Sequence, residues 1–218
     1  MFFEDISVLH QILRLGKAFL INLSFLPIVL LIGLILGSVI AVVRYYKIRI
    51  LSQFFSLLVE IIRGAPFLLL VYATFFILPN IGISLSPFGT GVCVLSFTSS
   101  AFMSEIFLSG LRSIDTGQYF AADSIGMNFF QKMTLIIFPQ MIKLTLPSIV
   151  GQVIMTIKDT SIVSLVGLAE VVRTSRQMSL LTQNSFLAFL IVGGYFFVIC
   201  YPLILVSKNL ERRLSTRH

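Results

Sequence analysis

The sequence predicts an all-helical integral membrane protein of about five transmembrane helices, with a short cytoplasmic helix between the third and the fourth. Three observations carry that expectation. First, the 218 residues are 57% hydrophobic and only 11% charged, with a mean hydropathy of +1.00. A soluble domain is about 45–50% apolar and about 25% charged, so this surface is built for lipid rather than water. Second, the apolar residues gather into runs of the length a bilayer demands, roughly 20 residues per helix. Third, the joining loops are short, and their basic residues are unevenly shared. No room is left for a large soluble domain.

The runs fall at residues 19–43, 54–78, 91–111, within 133–166, and at 186–206. The first is too long for the h-region of a signal peptide, about 7–15 residues, and reads as a first membrane helix. Positive charge orients the set. Arg44, Lys47 and Arg49 lie between spans one and two, and Arg112 and Lys132 between three and four. Lys208, Arg212, Arg213 and Arg217 follow span five, whereas the loop at 79–90 has no charge. Positive residues favour the cytoplasmic side, so the expected N-terminus is outside and the C-terminus inside. Arg14, Lys17, Arg173 and Arg176 fall on the outer side against the rule. The expected division is an extracytoplasmic segment at 1–16, a transmembrane domain at 17–211 with its loop at about 112–132, and a cytoplasmic tail at 212–218.

Several function classes drop out. The net charge of +7 is accounted for by flanking basic residues, so nucleic acid is not an expected partner. Cys93 and Cys200 sit apart in apolar runs and form no CxxC pair, and His10 and His218 lie near the ends. No metal site or disulfide framework is expected. The nine acidic residues are scattered, which gives no clustered catalytic set.

The loop after span three is the most informative stretch. Asp115 followed by Gln118 has the form of a capping box, Gly126 is a helix stop, and Asn128 followed by Gln131 is a second cap. A short helix, a tight turn and a second helix start are expected at the membrane surface. The order Gly117-Gln118, Ala121-Ala122, Gly126, nine residues, Ile136, then Phe138-Pro139 resembles the cytoplasmic signature of ATP-binding-cassette importer permeases. That signature is written Glu-Ala-Ala, three residues, Gly, nine residues, Ile, one residue, Leu-Pro. Other stretches resemble the polar-amino-acid subfamily, the histidine-, glutamine- and arginine-type permeases. These are Arg63-Gly64-Ala65-Pro66, Ala101-Phe102-Met103-Ser104-Glu105-Ile106, Lys158-Asp159-Thr160-Ser161 and Leu210-Glu211-Arg212-Arg213. Phe120 stands where the family has Glu, Phe138 where it has Leu, and Leu108 where an Arg is frequent.

The resemblance implies the transmembrane fold of type I importers and a role as the membrane-spanning subunit in amino-acid uptake. The implied partners are an ATP-binding subunit, an extracytoplasmic amino-acid-binding protein and a second permease subunit, identical or related, within the bacterial inner membrane. It implies that Gly117, Gln118, Phe120, Ala121, Ala122 and Gly126 dock in the ATPase and transmit its closure. The chain has no phosphate-cradling Gly-x-x-x-x-Gly-Lys-Ser/Thr loop. ATP and Mg are therefore expected on the partner, with no cofactor bound by this chain.

Charges inside spans are expensive and mark a function or a pair. Glu60 and Arg63 are three apart on one helix, the spacing of an intrahelical pair. Arg63 and Glu105 lie at similar depth, the spacing of a cross-helix pair. Lys158, Asp159, Thr160 and Ser161 sit in the outer half of span four, where acidic and basic groups suit either an amino-acid solute or helix-to-helix pairing. Gly64 and Pro66 interrupt span two, and Pro139 and Pro147 punctuate span four. Irregular backbone at membrane depth lines cavities. Gly33 and Gly37 form a Gly-x-x-x-Gly pattern that permits close helix packing. A secondary transporter or channel is the rival reading; it accounts for the spans and the charges, but not for the spaced loop.

Overall fold

A computed structural model describes residues 7–215. Ten α-helices, with short 3-10 and π segments, make up the secondary structure of those residues. Four stretches are long and apolar enough to cross a bilayer: Val8–Tyr45, Pro87–Arg112, Phe129–Val166 and Ser185–Leu214. A fifth is a broken pair, Arg49–Gly64 with Phe67–Ile81, bent by 107°.

Helix α1 (Val8–Ser24) begins at Ser7, whose hydroxyl accepts from the His10 amide at 3.3 Å. It meets α2 (Leu26–Tyr45) at Phe25, with Pro27 in the first turn of α2 where its missing N–H costs nothing. The helix thus starts well before residue 17, and the expected boundary there falls inside it. Leu15, Ala18 and Phe19 bury one face of α1 while Leu9, Leu13 and Leu20 stay exposed. Hydropathy alone misses this start because His10, Arg14 and Lys17 dilute the apolar run.

Helix α3 (Arg49–Gly64) ends where Ala65 turns extended and Pro66 caps α4 (Phe67–Tyr72), so span two breaks at the expected residues. A residue before proline avoids the helical region, and proline has no N–H to continue the ladder. Helix α5 (Pro87–Arg112) starts on Ser86, whose side chain accepts from the Gly89 amide at 3.0 Å. It lies at the centre of the bundle. A Cβ built on Gly33 would come within 2.4 Å of Ser99 Oγ, and one on Gly37 within 2.7 Å of Met103 Cβ. The two glycines of α2 therefore allow its close approach to α5.

The loop carries α6 (Thr116–Ser124) and α7 (Phe129–Lys132). A π turn at Met133–Ile137 leads into α8 (Phe138–Asp159), and a 3-10 turn at Thr160–Val166 ends on Gly167 at φ +101°. Helix α9 (Val171–Thr182) precedes α10 (Ser185–Ser215). The last helix runs past residue 211, so no break separates the described part of the tail from the span. The polar α9 was not expected. Val171, Thr174, Ser175 and Met178 are buried, and Val171 and Met178 pack with Leu15, Phe19 and Val192.

Further apolar clusters hold the spans, and two of them are large. Near one end, Ala41, Met103, Phe107, Leu111, Ile137 and Met141 pack together. Near the other, Phe25, Val29, Val71, Leu95 and Val163 do so. Polar side chains of functional interest lie beside these two clusters.

Candidate functional site

Helix α6 is a surface helix held on one side. Asp115 caps it by accepting from the Gly117 amide at 2.6 Å. The expected capping box with Gln118 does not form. Gln118 Oε1 instead accepts from Gln140 Nε2 of α8 at 3.1 Å. The second cap does form: Asn128 Oδ1 accepts from the Gln131 amide at 2.9 Å, and Gln131 Oε1 from the Asn128 amide at 3.0 Å. Gly126 sits at φ +72°, the left-handed conformation that glycine adopts most readily, and ends the helix.

The small residues of α6 divide. Gly117, Ala121 and Gly126 are exposed, but Ala122 is fully buried within this chain. It therefore seats the helix on the bundle and offers no surface to another protein. Phe120 and Ile125 point outward at 70% and 71% exposure. The loop is tied inward by aromatic contacts. Tyr119 stacks on Tyr45 at 6.2 Å, and Tyr46 meets Phe129 edge-on at 5.3 Å. Burial, with the neighbouring Tyr45 phenol, pushes the Tyr119 phenol well above its usual range. Lys132 and Asp123 form an ion pair across the turn.

Beside this end lies a charged cluster. Arg44 Nη1 donates to Glu105 Oε1 at 2.7 Å, and Arg63 Nη1 lies 3.4 Å from the same oxygen. Arg44 also donates from Nε to Ser56 Oγ at 3.1 Å. Arg63 lies over the Phe102 ring, 5.3 Å from its centroid, a cation–π contact. Glu60 is exposed and joins no ion pair among the described residues, so the expected intrahelical pair with Arg63 does not form. Arg44 went unrecognised in the sequence because it was read as a loop charge. It belongs to the last turn of α2, and its side chain is only 9% exposed. A cavity of about 390 Å3 opens beside Glu105, lined also by Ser109, Ser113, Thr145 and Ser148.

The segment from Lys158 to Ser161 spans the junction of α8 and the 3-10 turn. Lys158 is exposed, Asp159 and Ser161 are half-buried, and Thr160 is fully buried. Thr160 Oγ1 accepts from Asn22 Nδ2 at 3.0 Å, and the same amide donates to Glu170 Oε2 at 2.8 Å. Asn22 Oδ1 accepts from the Val171 amide at 3.1 Å, and Glu170 Oε1 from the Arg173 amide at 2.9 Å. Burial raises the pKa of the Glu170 carboxyl, and the bonds from Asn22 and from the Val172 and Arg173 amides oppose that shift. Neither Asn22 nor Glu170 stood out in the sequence. The available signal was an amide inside an apolar run and an acid at a helix start.

Broken spans, a capped surface helix and hydroxyl-lined space beside intramembrane charges are features that suit a membrane transport subunit. The chain belongs to the family described as the binding-protein-dependent transport system inner membrane component, whose model matches residues 20–216. A probable glutamine ABC transporter permease protein, GlnP of Bacillus subtilis (strain 168), is 36% identical over 91% of this chain and 93% of that protein. The L-cystine transport system permease protein TcyB of the same strain is 32% identical over 94% of this chain and 87% of that protein. A crystal structure of an amino acid ABC transporter with histidines is similar at a TM-score of 0.81 and 29% identity, covering 92% of this chain and 96% of that one. The fold is that of the type I importer transmembrane domain, and the chain is an ABC importer permease subunit. This membership does not favour the secondary-transporter or channel reading.

Proposed function

We propose that this chain lines the pathway of an amino-acid importer, with its N-terminus outside and its C-terminus in the cytoplasm. A separate ATP-binding subunit carries ATP and Mg. An extracytoplasmic amino-acid-binding protein delivers the solute, and a second permease subunit, identical or related, completes the pathway. The amino-acid class is supported by similarity to permeases named for glutamine and cystine.

The single observation that carries the reading is the build of α6. Ala122 is fully buried, while Phe120 and Ile125 project from the loop at 70% and 71% exposure. Gly117, Gln118, Phe120, Ala121 and Gly126 form the docking side, with Ala122 as its inward anchor. Closure of the ATPase presses on α6. Tyr119 passes that load to Tyr45 of α2, and Gln118 passes it to Gln140 of α8. Helices in lipid keep their backbone bonds and move as rigid bodies, so the load tilts the spans. Glu60, Arg63, Glu105, Lys158, Asp159 and Ser161 are the polar groups along the pathway, with the fully buried Thr160 behind them.

The test is reconstitution with the ATPase and binding protein, reading ATP hydrolysis and uptake of labelled amino acids together. Gly126→Asp adds a charge at a left-handed position that Asp tolerates better than most residues, and Phe120→Glu adds one at the tip. The expected result is ATP-driven uptake in the parent, with a loss of more than about tenfold in folded variants. Uptake that needs no ATPase and ignores both substitutions would sink the proposal.

A further inference from the structure

The hydrogen-bonded node at Asn22 is costly to bury. Asn22 is 1% exposed, and Thr160 and Glu170 are both fully buried. An amide and a carboxyl are placed out of reach of solvent only where partners satisfy them. Here one side chain binds residues 138 and 148 positions away, and its oxygen holds the start of a further helix.

The node sits against an irregular backbone. From Thr160 to Val166 the chain is a 3-10 helix of seven residues, longer than such helices usually run. Both of its ends are fixed. Thr160 Oγ1 donates to the Ile157 carbonyl at 2.7 Å and accepts from Asn22. At the far end the Arg173 guanidinium donates to the Gly167 carbonyl. Successive residues of a 3-10 helix are turned by roughly 120°. Holding Thr160 inward therefore fixes the phase of its neighbours. Asp159 and Ser161 flank it, and Lys158 stays exposed.

We propose that Asn22 and Glu170 are positioning residues of the outer half of the pathway, which orient Lys158, Asp159 and Ser161 toward the solute by fixing Thr160. The inference rests on the pathway-lining reading of that segment. Glu170 acts through Asn22: it receives one amide N–H and leaves the other for Thr160.

The experiment uses the complete reconstituted complex and measures KM and kcat for uptake per transporter, with basal ATP hydrolysis as reference. Asn22→Ala and Thr160→Val remove the link, Thr160→Ser keeps the hydroxyl, and Glu170→Gln keeps one acceptor as a milder change. The expected KM rises about tenfold for Asn22→Ala and for Thr160→Val, the scale of one lost buried hydrogen bond. Thr160→Ser stays within about twofold of the parent, and Glu170→Gln falls between. Basal hydrolysis of the Asn22→Ala complex stays near the parent's. A parent complex that takes up solute, with variants that lose only yield while KM holds, overturns the positioning role and leaves the importer reading intact. A parent complex without ATP-dependent uptake overturns the importer reading and this inference with it.

Discussion

Helices α5 and α10 are both long enough to span a bilayer, yet they solve opposite problems. In its spanning window α5 is 67% buried, whereas α10 is 11% buried and is the more apolar of the two. In water the buried helix would be the greasy one. In lipid the tails outside are as apolar as leucine, so burial selects small side chains that let backbones approach. Helix α5 carries buried Ser96, Ser99, Ser100, Ser104 and Gly110. Helix α10 instead turns Phe186, Leu190, Phe197 and Val198 outward.

Substitutions can break or sharpen this contrast. The largest effect is expected from Gly110→Leu, because even a Cβ there would lie 2.4 Å from Thr145 Cγ2 and 2.9 Å from Met141 Cγ. Overpacking of this kind costs about 3 kcal/mol, and thermal unfolding in detergent should show a sharp fall in midpoint. Next comes Glu105→Gln, which strips Arg44 of its carboxylate; about 2 kcal/mol is expected, since a nearly buried donor loses its charged partner. A restored midpoint in the double variant with Arg44→Met would trace the loss to the stranded guanidinium. Ser100→Ala should cost less than about 1 kcal/mol, because the hydroxyl only bonds back to the Ser96 carbonyl. Leu190→Ala, at 57% exposure on α10, should stay within about 0.5 kcal/mol. If Leu190→Ala were to rival Gly110→Leu, that face of α10 would be a protein interface and the contrast would fail.

Legibility in the sequence followed the range of the interactions. Gly64, Pro66, Gly126 and the Asn128–Gln131 cap act on the backbone within a few residues, and each produced the expected break, stop or start. The five runs were visible because lipid imposes a length. The Glu105 partner of Arg44 and the partners of Gln118 and Asn22 were not visible, since they lie 61, 22 and 138 or more residues away. Helix α9 was missed because its burial depends on α1 and α10, which its own polar composition does not announce. The inward turn of Ala122 was hidden for the same reason: a motif gives spacing but not which side of its helix meets the bundle.

The π turn at Met133–Ile137 has a consequence for how the loop is aimed. Such a turn holds about one residue more than its α-helical equivalent, and each α-helical residue advances the chain by roughly 100°. The π turn absorbs that residue locally: deleting one there would leave an α-helical turn of nearly the same phase, whereas a deletion in the α-helical turn at Phe129–Lys132 would rotate α6 about the axis of α8 by roughly 100°. Phe120 and Ile125 would then face sideways. The count of residues between Gly126 and Pro139 is in this sense a phase setting. A slip of one residue outside the π turn would keep every side chain of the loop and aim them all elsewhere.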